Sequence, residues 1–82
     1  MGSSQDFIFY YREGCHLCED MIDQLKDVFS DYPSNLILRN IDENLDWFNL
    51  YNTDIPVLIY QDKIISKYFL DRESLIRILR EQ

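Results

Sequence analysis

The sequence predicts an α/β fold with the element order βαβαββα, a four-stranded mixed sheet and three flanking helices. Three observations carry that reading. An apolar run without polar alternation, Phe7-Ile8-Phe9-Tyr10-Tyr11, precedes a long stretch of helical spacing. A second apolar run, Leu36-Ile37-Leu38, follows at a distance suited to a right-handed crossover, so the first two strands are expected to be parallel. Two later runs, residues 55–60 and 64–69, flank Gln61-Asp62-Lys63 as the arms of a hairpin.

Taken in order, residues 6–11 read as a central strand covered on both faces, because its side chains do not alternate with polar ones. Helix one is expected from about His16 to Asp31. Leu17, Met21, Leu25, Val28, Phe29 and Tyr32 fall on one stripe, with Glu19, Asp20, Asp23, Lys26 and Asp27 on the others. Pro33 stops that helix, and residues 30–35 form a loop. Strand two is expected over 36–41. Asp42 is the candidate N-cap of a short second helix carrying Leu45, Trp47, Phe48 and Tyr51, which Asn52-Thr53-Asp54 ends. Pro56 is tolerated at the head of strand three but would not be in its middle. Asp71 caps the last helix, whose Leu75, Ile78 and Leu79 face inward. Its acidic start (Asp71, Glu73) and basic end (Arg77, Arg80) suit the helix dipole. The aromatic residues Trp47, Phe48 and Tyr51 are expected as core and partial cover, and Tyr60, Tyr68 and Phe69 around the hairpin.

Bulk composition narrows the function. Eighty-two residues make one domain, expected over 6–82 behind a flexible tail at 1–5. An apolar content of 46% with 15% aromatic residues indicates a globular chain rather than a disordered one. A net charge of −7 repels phosphate backbones and anionic membranes, so neither nucleic acid nor a membrane is an expected partner. No apolar run approaches the ~20 residues of a membrane span, and the first residues lack the features of a signal peptide. A cytoplasmic monomer is expected.

The chemistry concentrates in Tyr11-Arg12-Glu13-Gly14-Cys15-His16-Leu17-Cys18, which holds both cysteines of the chain and one of its two glycines. A thiol at a helix start meets unpaired backbone N–H groups and the positive end of the dipole, which favour thiolate over thiol. The second sulfur, three residues on, lies about one turn deeper on the same side. One exposed attacker and one covered resolver is what dithiol–disulfide exchange needs. As a staple the same pair is weak, giving about 2 kcal/mol in the loop-entropy model. Structural zinc needs four ligands, which two cysteines and the loop residue His16 do not supply. Cu(I) held by both thiolates, or an iron–sulfur cluster bridging two chains, is an alternative use of the same residues. The copper-carrying domain with this motif has the order βαββαβ, however, unlike this chain. A binding module with idle cysteines is a further alternative.

A second feature, Thr53-Asp54-Ile55-Pro56-Val57, changes the balance. With both in place, the chain from about Asp6 to its end resembles the thioredoxin superfamily, and within it the glutaredoxin-like proteins. Residues 10–18 are similar to a small bacterial glutaredoxin-like group with a Cys-His-Leu-Cys site. So are Asn40-Ile41-Asp42-Glu43-Asn44, Tyr51 and Ile55-Pro56-Val57-Leu58. The resemblance implies a thioredoxin-like fold with strand order 2-1-3-4, helices one and three on one face, and thiol–disulfide oxidoreductase activity. It makes Cys15 the nucleophile and Cys18 the resolving thiol. It also makes Pro56 a cis-proline and Ile55 the residue whose backbone pairs with an extended substrate. Read alone, Pro56 is an ordinary trans proline starting a strand.

The resemblance also matches Arg12 to a basic residue that contacts the glycyl carboxylate of glutathione, and Asp71 to an acidic group that meets its amine. N-capping explains Asp71 equally well. Two departures bear on this: His16-Leu17 stand where glutaredoxins carry Pro-Tyr, and residues 66–70 lack the family's Gly-Gly pair. Glutathione is therefore an open co-substrate. His16 either tunes the Cys15 thiol or is a solvated loop residue. Arg12 favours the thiolate, whereas Glu13, Glu19 and Asp20 oppose it. The acidic stretch of helix one is a solvated face or a filter favouring basic partners. Disulfide-bearing proteins or small disulfides are the expected substrates, recycled by glutathione or a flavin-linked disulfide reductase. Neither a metal nor an organic cofactor is expected within the domain.

Overall fold

Strand β1 (Asp6–Tyr11) sends large side chains to both of its faces, and the remaining elements cover them. In the computed structural model, which describes residues 6–81, β1 pairs in parallel with β2 (Asn35–Asn40) and antiparallel with β3 (Val57–Tyr60). Strand β3 pairs antiparallel with β4 (Lys63–Lys67), giving the expected mixed sheet in the order β2-β1-β3-β4. The parallel pair requires a crossover, which helix α1 (His16–Asp31) provides. Helices α2 (Leu45–Tyr51) and α3 (Arg72–Arg80) complete a thioredoxin-like arrangement. The tail expected at 1–5 lies outside the described residues. Among the described residues no helix is long and apolar enough to cross a membrane.

Two clusters form the core, one on each face of the sheet. Phe7 and Phe9 of β1 and Leu58 and Tyr60 of β3 meet Met21, Leu25 and Val28 of α1 and Leu75 and Leu79 of α3. On the opposite face Tyr10, Val57 and Ile59 pack with Ile41, and Trp47, Phe48 and Tyr51 of α2 cover them. Helices α1 and α3 thus share a face and α2 takes the other, as expected. Tyr51 stacks on Tyr10 at 4.3 Å. Burial first, and Tyr10 second, pushes its hydroxyl above the ordinary 10.0. Arg39 donates to the Tyr10 hydroxyl at 2.8 Å and lies 5.0 Å from the Trp47 ring.

Several expected boundaries move, each for a local reason. Asp42 is not the cap of α2. Asn40 caps a short 3-10 turn (Ile41–Glu43), and Asn44 caps α2 by accepting from Asp46 N and Trp47 N. Strand β2 consequently ends at Asn40, and the fully buried Ile41 belongs to the turn. Strand β3 starts at Val57, because the Ile55 N–H is donated back to Tyr51 O at 3.1 Å and Pro56 has none. The hairpin turn is Gln61-Asp62, both at positive φ, so Lys63 already belongs to β4. Strand β4 ends at Lys67 because Tyr68 sits at φ 65°. Tyr68 and Phe69, expected to pack around the hairpin, are 41% and 72% exposed.

Leu25 is fully buried where α1 meets the sheet, so Leu25→Ala removes contacts in the larger cluster. A loss of about 2–5 kcal/mol in unfolding free energy is expected. Urea titration followed by circular dichroism measures it, and a loss below 1 kcal/mol, well under the range of about 2–5 for such sites, would contradict this packing.

Candidate active site

The turn after β1 delivers the cysteines to the rim of the sheet. Gly14 takes φ 77°, a conformation that costs other residues a clash at Cβ, and the chain then extends through Cys15 into α1. Cys15 is the N-cap: its Sγ accepts from Cys18 N at 3.1 Å, and its carbonyl accepts from Glu19 N at 3.0 Å. Its sulfur is bonded to that of Cys18 across a Cα separation of 5.2 Å. The two are not equivalent. Cys15 is half-buried, whereas Cys18 is 2% exposed and belongs to the core cluster with Phe9 and Met21.

Around this pair the other sequence-identified residues fall into distinct roles. Pro56 is fully buried in a cis peptide bond with Ile55, and its carbonyl accepts from Tyr68 N at 2.9 Å. Ile55 packs against both core clusters, and since its N–H is used internally, its carbonyl is the backbone group left for a partner. His16 opens α1, is exposed, and its side chain makes no hydrogen bond or ion pair with the described residues. Arg12 is held in a two-point pair with Asp42, at 3.1 Å from Nε and 2.8 Å from Nη2, and its guanidinium lies 5.5 Å from the Phe48 ring. Both side chains are exposed, so the pair contributes little to stability. It does fix where the cation points.

Asp71 is committed to capping α3. One carboxylate oxygen accepts from Ser74 N at 3.2 Å, the other from the Ser74 hydroxyl at 2.8 Å, and Asp71 N donates to the buried Ser66 Oγ at 3.0 Å. The serine hydroxyl first, then the backbone N–H, holds its carboxyl below the ordinary 3.8.

Sequence reasoning missed three contributors. Asp42 positions Arg12 from thirty residues away. Tyr68 anchors the segment before Pro56, its hydroxyl donating to Thr53 O at 2.8 Å, and Lys67 adds an ion pair with Asp54 at 3.4 Å. The missing glycine pair in 66–70 was the available signal for Tyr68, since a side-chain-bearing residue then has to adopt the positive φ. Among the described residues, no three His, Cys, Asp or Glu side chains gather as a metal shell.

The chain is similar to known proteins in sequence and in fold. A family model described as Glutaredoxin-like domain (DUF836) matches residues 6–80. The Glutaredoxin-like protein YDR286C homolog from Dictyostelium discoideum is 32% identical over 84 residues, which cover 90% of this chain and 78% of that one. The solution NMR structure of protein Ne2328 from Nitrosomonas europaea is 36% identical, with a TM-score of 0.79 over 95% of this chain and 94% of that one. Thioredoxin 1 from Thermosipho africanus TCF52B, at 13% identity, covers 93% of this chain and 96% of its own with a TM-score of 0.65, a likeness of fold alone.

The Asp71 cap gives a pH signature. A carboxyl whose folded pKa is lowered adds stability that is complete above its unfolded value of 3.8 and is lost as pH falls through the lower folded value. Asp71→Asn keeps an acceptor for Ser74 N and should flatten the acid limb of the melting-temperature profile. Asp71→Ala should lower the melting temperature at neutral pH as well. An unchanged acid limb in the asparagine variant would remove Asp71 from this role.

Proposed function

The chain belongs to the glutaredoxin-like domain family, and from that premise we propose that it is a thiol–disulfide oxidoreductase working through Cys15 and Cys18. The observation that carries the reading is the asymmetry of the pair. Cys15 is accessible at a helix start, and Cys18 is enclosed one turn deeper. In the reduced protein the Cys15 thiolate is stabilised by the Cys18 N–H and the helix dipole. It attacks one sulfur of a substrate disulfide, forming a mixed disulfide and expelling the other sulfur as a thiolate that takes a proton from water. Cys18 gives up its proton, attacks the Cys15 sulfur and releases the second substrate thiolate. Two electrons have then passed to the substrate, and the Cys15–Cys18 disulfide remains.

Protein disulfides or small disulfides fill the substrate role, with the Ile55 carbonyl available to an extended backbone. Glutathione or a flavin-linked disulfide reductase returns the electrons. No resident cofactor takes part in the steps above, and a reducing compartment such as the cytoplasm would keep the pair as dithiol.

Two measurements test this. Cys18→Ser should accumulate a mixed disulfide on Cys15 that mass spectrometry resolves, whereas Cys15→Ser should form none and lose turnover. Equilibration in graded glutathione buffers should show a reversible two-electron transition between about −170 and −270 mV. If no disulfide forms anywhere in that window, the exchange reading fails.

A further inference from the structure

We propose that a groove between α1 and the β1–β2 pair docks an extended peptide segment carrying basic and apolar side chains, flanking the disulfide exchanged at Cys15. The groove encloses about 400 Å³, enough for one or two side chains, and lies on the α1 face of the sheet. The parallel register sets Phe9 beside Leu38 on one face, and with Tyr11 and Ile22 they make an apolar floor. Strand β2 is an edge strand with no neighbour beyond it among the described residues, and Leu38 is 51% exposed. Gly14 and Cys18 close the end nearest the disulfide. Gly14 immediately precedes Cys15, so a segment lying in the groove runs beside the turn that carries the disulfide.

Charge selects the occupant. Glu13 and Glu19 line the rim and make no side-chain hydrogen bond or ion pair with the described residues. The cation beside them, Arg12, is already neutralised by Asp42. A ligand therefore meets an apolar floor below two uncompensated carboxylates. Lysine and arginine suit such a site, because their stems cover apolar surface while their charged ends reach the rim. A second copy would bring another net charge of −7 to the same place, and an acidic peptide would meet the same repulsion. The docking stands on the groove alone, while its link to exchange rests on the redox reading above.

The test uses the oxidised protein and two cysteine-free probes, acetyl-Lys-Leu-Lys-Leu-amide and acetyl-Glu-Leu-Glu-Leu-amide, in an NMR amide titration. The basic peptide should shift Gly14, Glu19, Ile22 and Leu38 and bind about tenfold more tightly than the acidic one. Glu13→Gln with Glu19→Gln should weaken it about fivefold. Leu38→Ser, at a half-exposed site whose spectrum reports the fold directly, should weaken both peptides. Equal affinity for the two probes, shifts confined to other residues, or no binding overturns the proposal. So does dilution-dependent dimerisation that maps to the same amides, which would give the groove to a second copy. In parallel, peptide disulfides with basic or acidic flanks are offered to the reduced protein. If neither is exchanged while the basic probe still docks, the redox reading fails and the groove stands. If both are exchanged at one rate and the probe does not dock, the groove fails and the redox reading stands.

Discussion

A strand with no solvent face governs this molecule. Phe7 and Phe9 on one side of β1, and Tyr10 on the other, are nearly or fully buried, so both faces of the sheet have to be roofed. Eighty-two residues do that with little to spare. Helices α1 and α3 roof one side, and the 3-10 turn with the single short helix α2 roofs the other. The strand can then leave the sheet only at its ends. Its C-terminal end is the Arg12–Gly14 turn, which carries the chain from the middle of the sheet to the start of α1. The position of the cysteines follows from covering β1.

The surroundings of the disulfide are built mainly from backbone and packing rather than from charged side chains. Sγ of Cys15 receives a backbone N–H, Cys18 is enclosed by core residues, and Pro56 is tied to the end of β4 through Tyr68 N. Arg12 is occupied with Asp42, Lys67 with Asp54 and Asp71 with the start of α3, whereas the Glu13 and Glu19 side chains make no ion pair among the described residues. Such an arrangement fixes the geometry of the sulfurs while leaving the surface that meets a partner to be defined by shape and residual negative charge.

What could be read in advance was what local chemistry dictates. The span of α1, the cap at Asp71, the sheet order and the division of helices between faces follow from periodicity, capping preference, crossover handedness and family likeness. Asp42 was misassigned because Asn40, Asp42 and Asn44 stand two residues apart and have nearly equal capping preference. Spacing could not choose among them, whereas the packing of Ile41 could. The exposure of Tyr68 and Phe69 was illegible for a related reason, since a strand end carries too little periodicity to define a face. The Arg12–Asp42 pair and the groove beside Leu38 arise from segments brought together by the parallel register, which no local pattern encodes.

Cys15 also has a second occupation, as the residue that starts α1. In the proposed exchange, the atom that accepts the Cys18 N–H is the atom that changes oxidation state, so helix capping and the redox equilibrium are thermodynamically coupled. A negatively charged sulfur is a stronger acceptor than a bridged one. Whatever free energy the helix start gains from that difference must, by linkage, appear as an equal bias of the couple toward its reduced form. About 1.4 kcal/mol corresponds to ~30 mV for two electrons. Under that exchange, the first turn of α1 tunes the redox equilibrium through backbone geometry, adjustable without touching either cysteine.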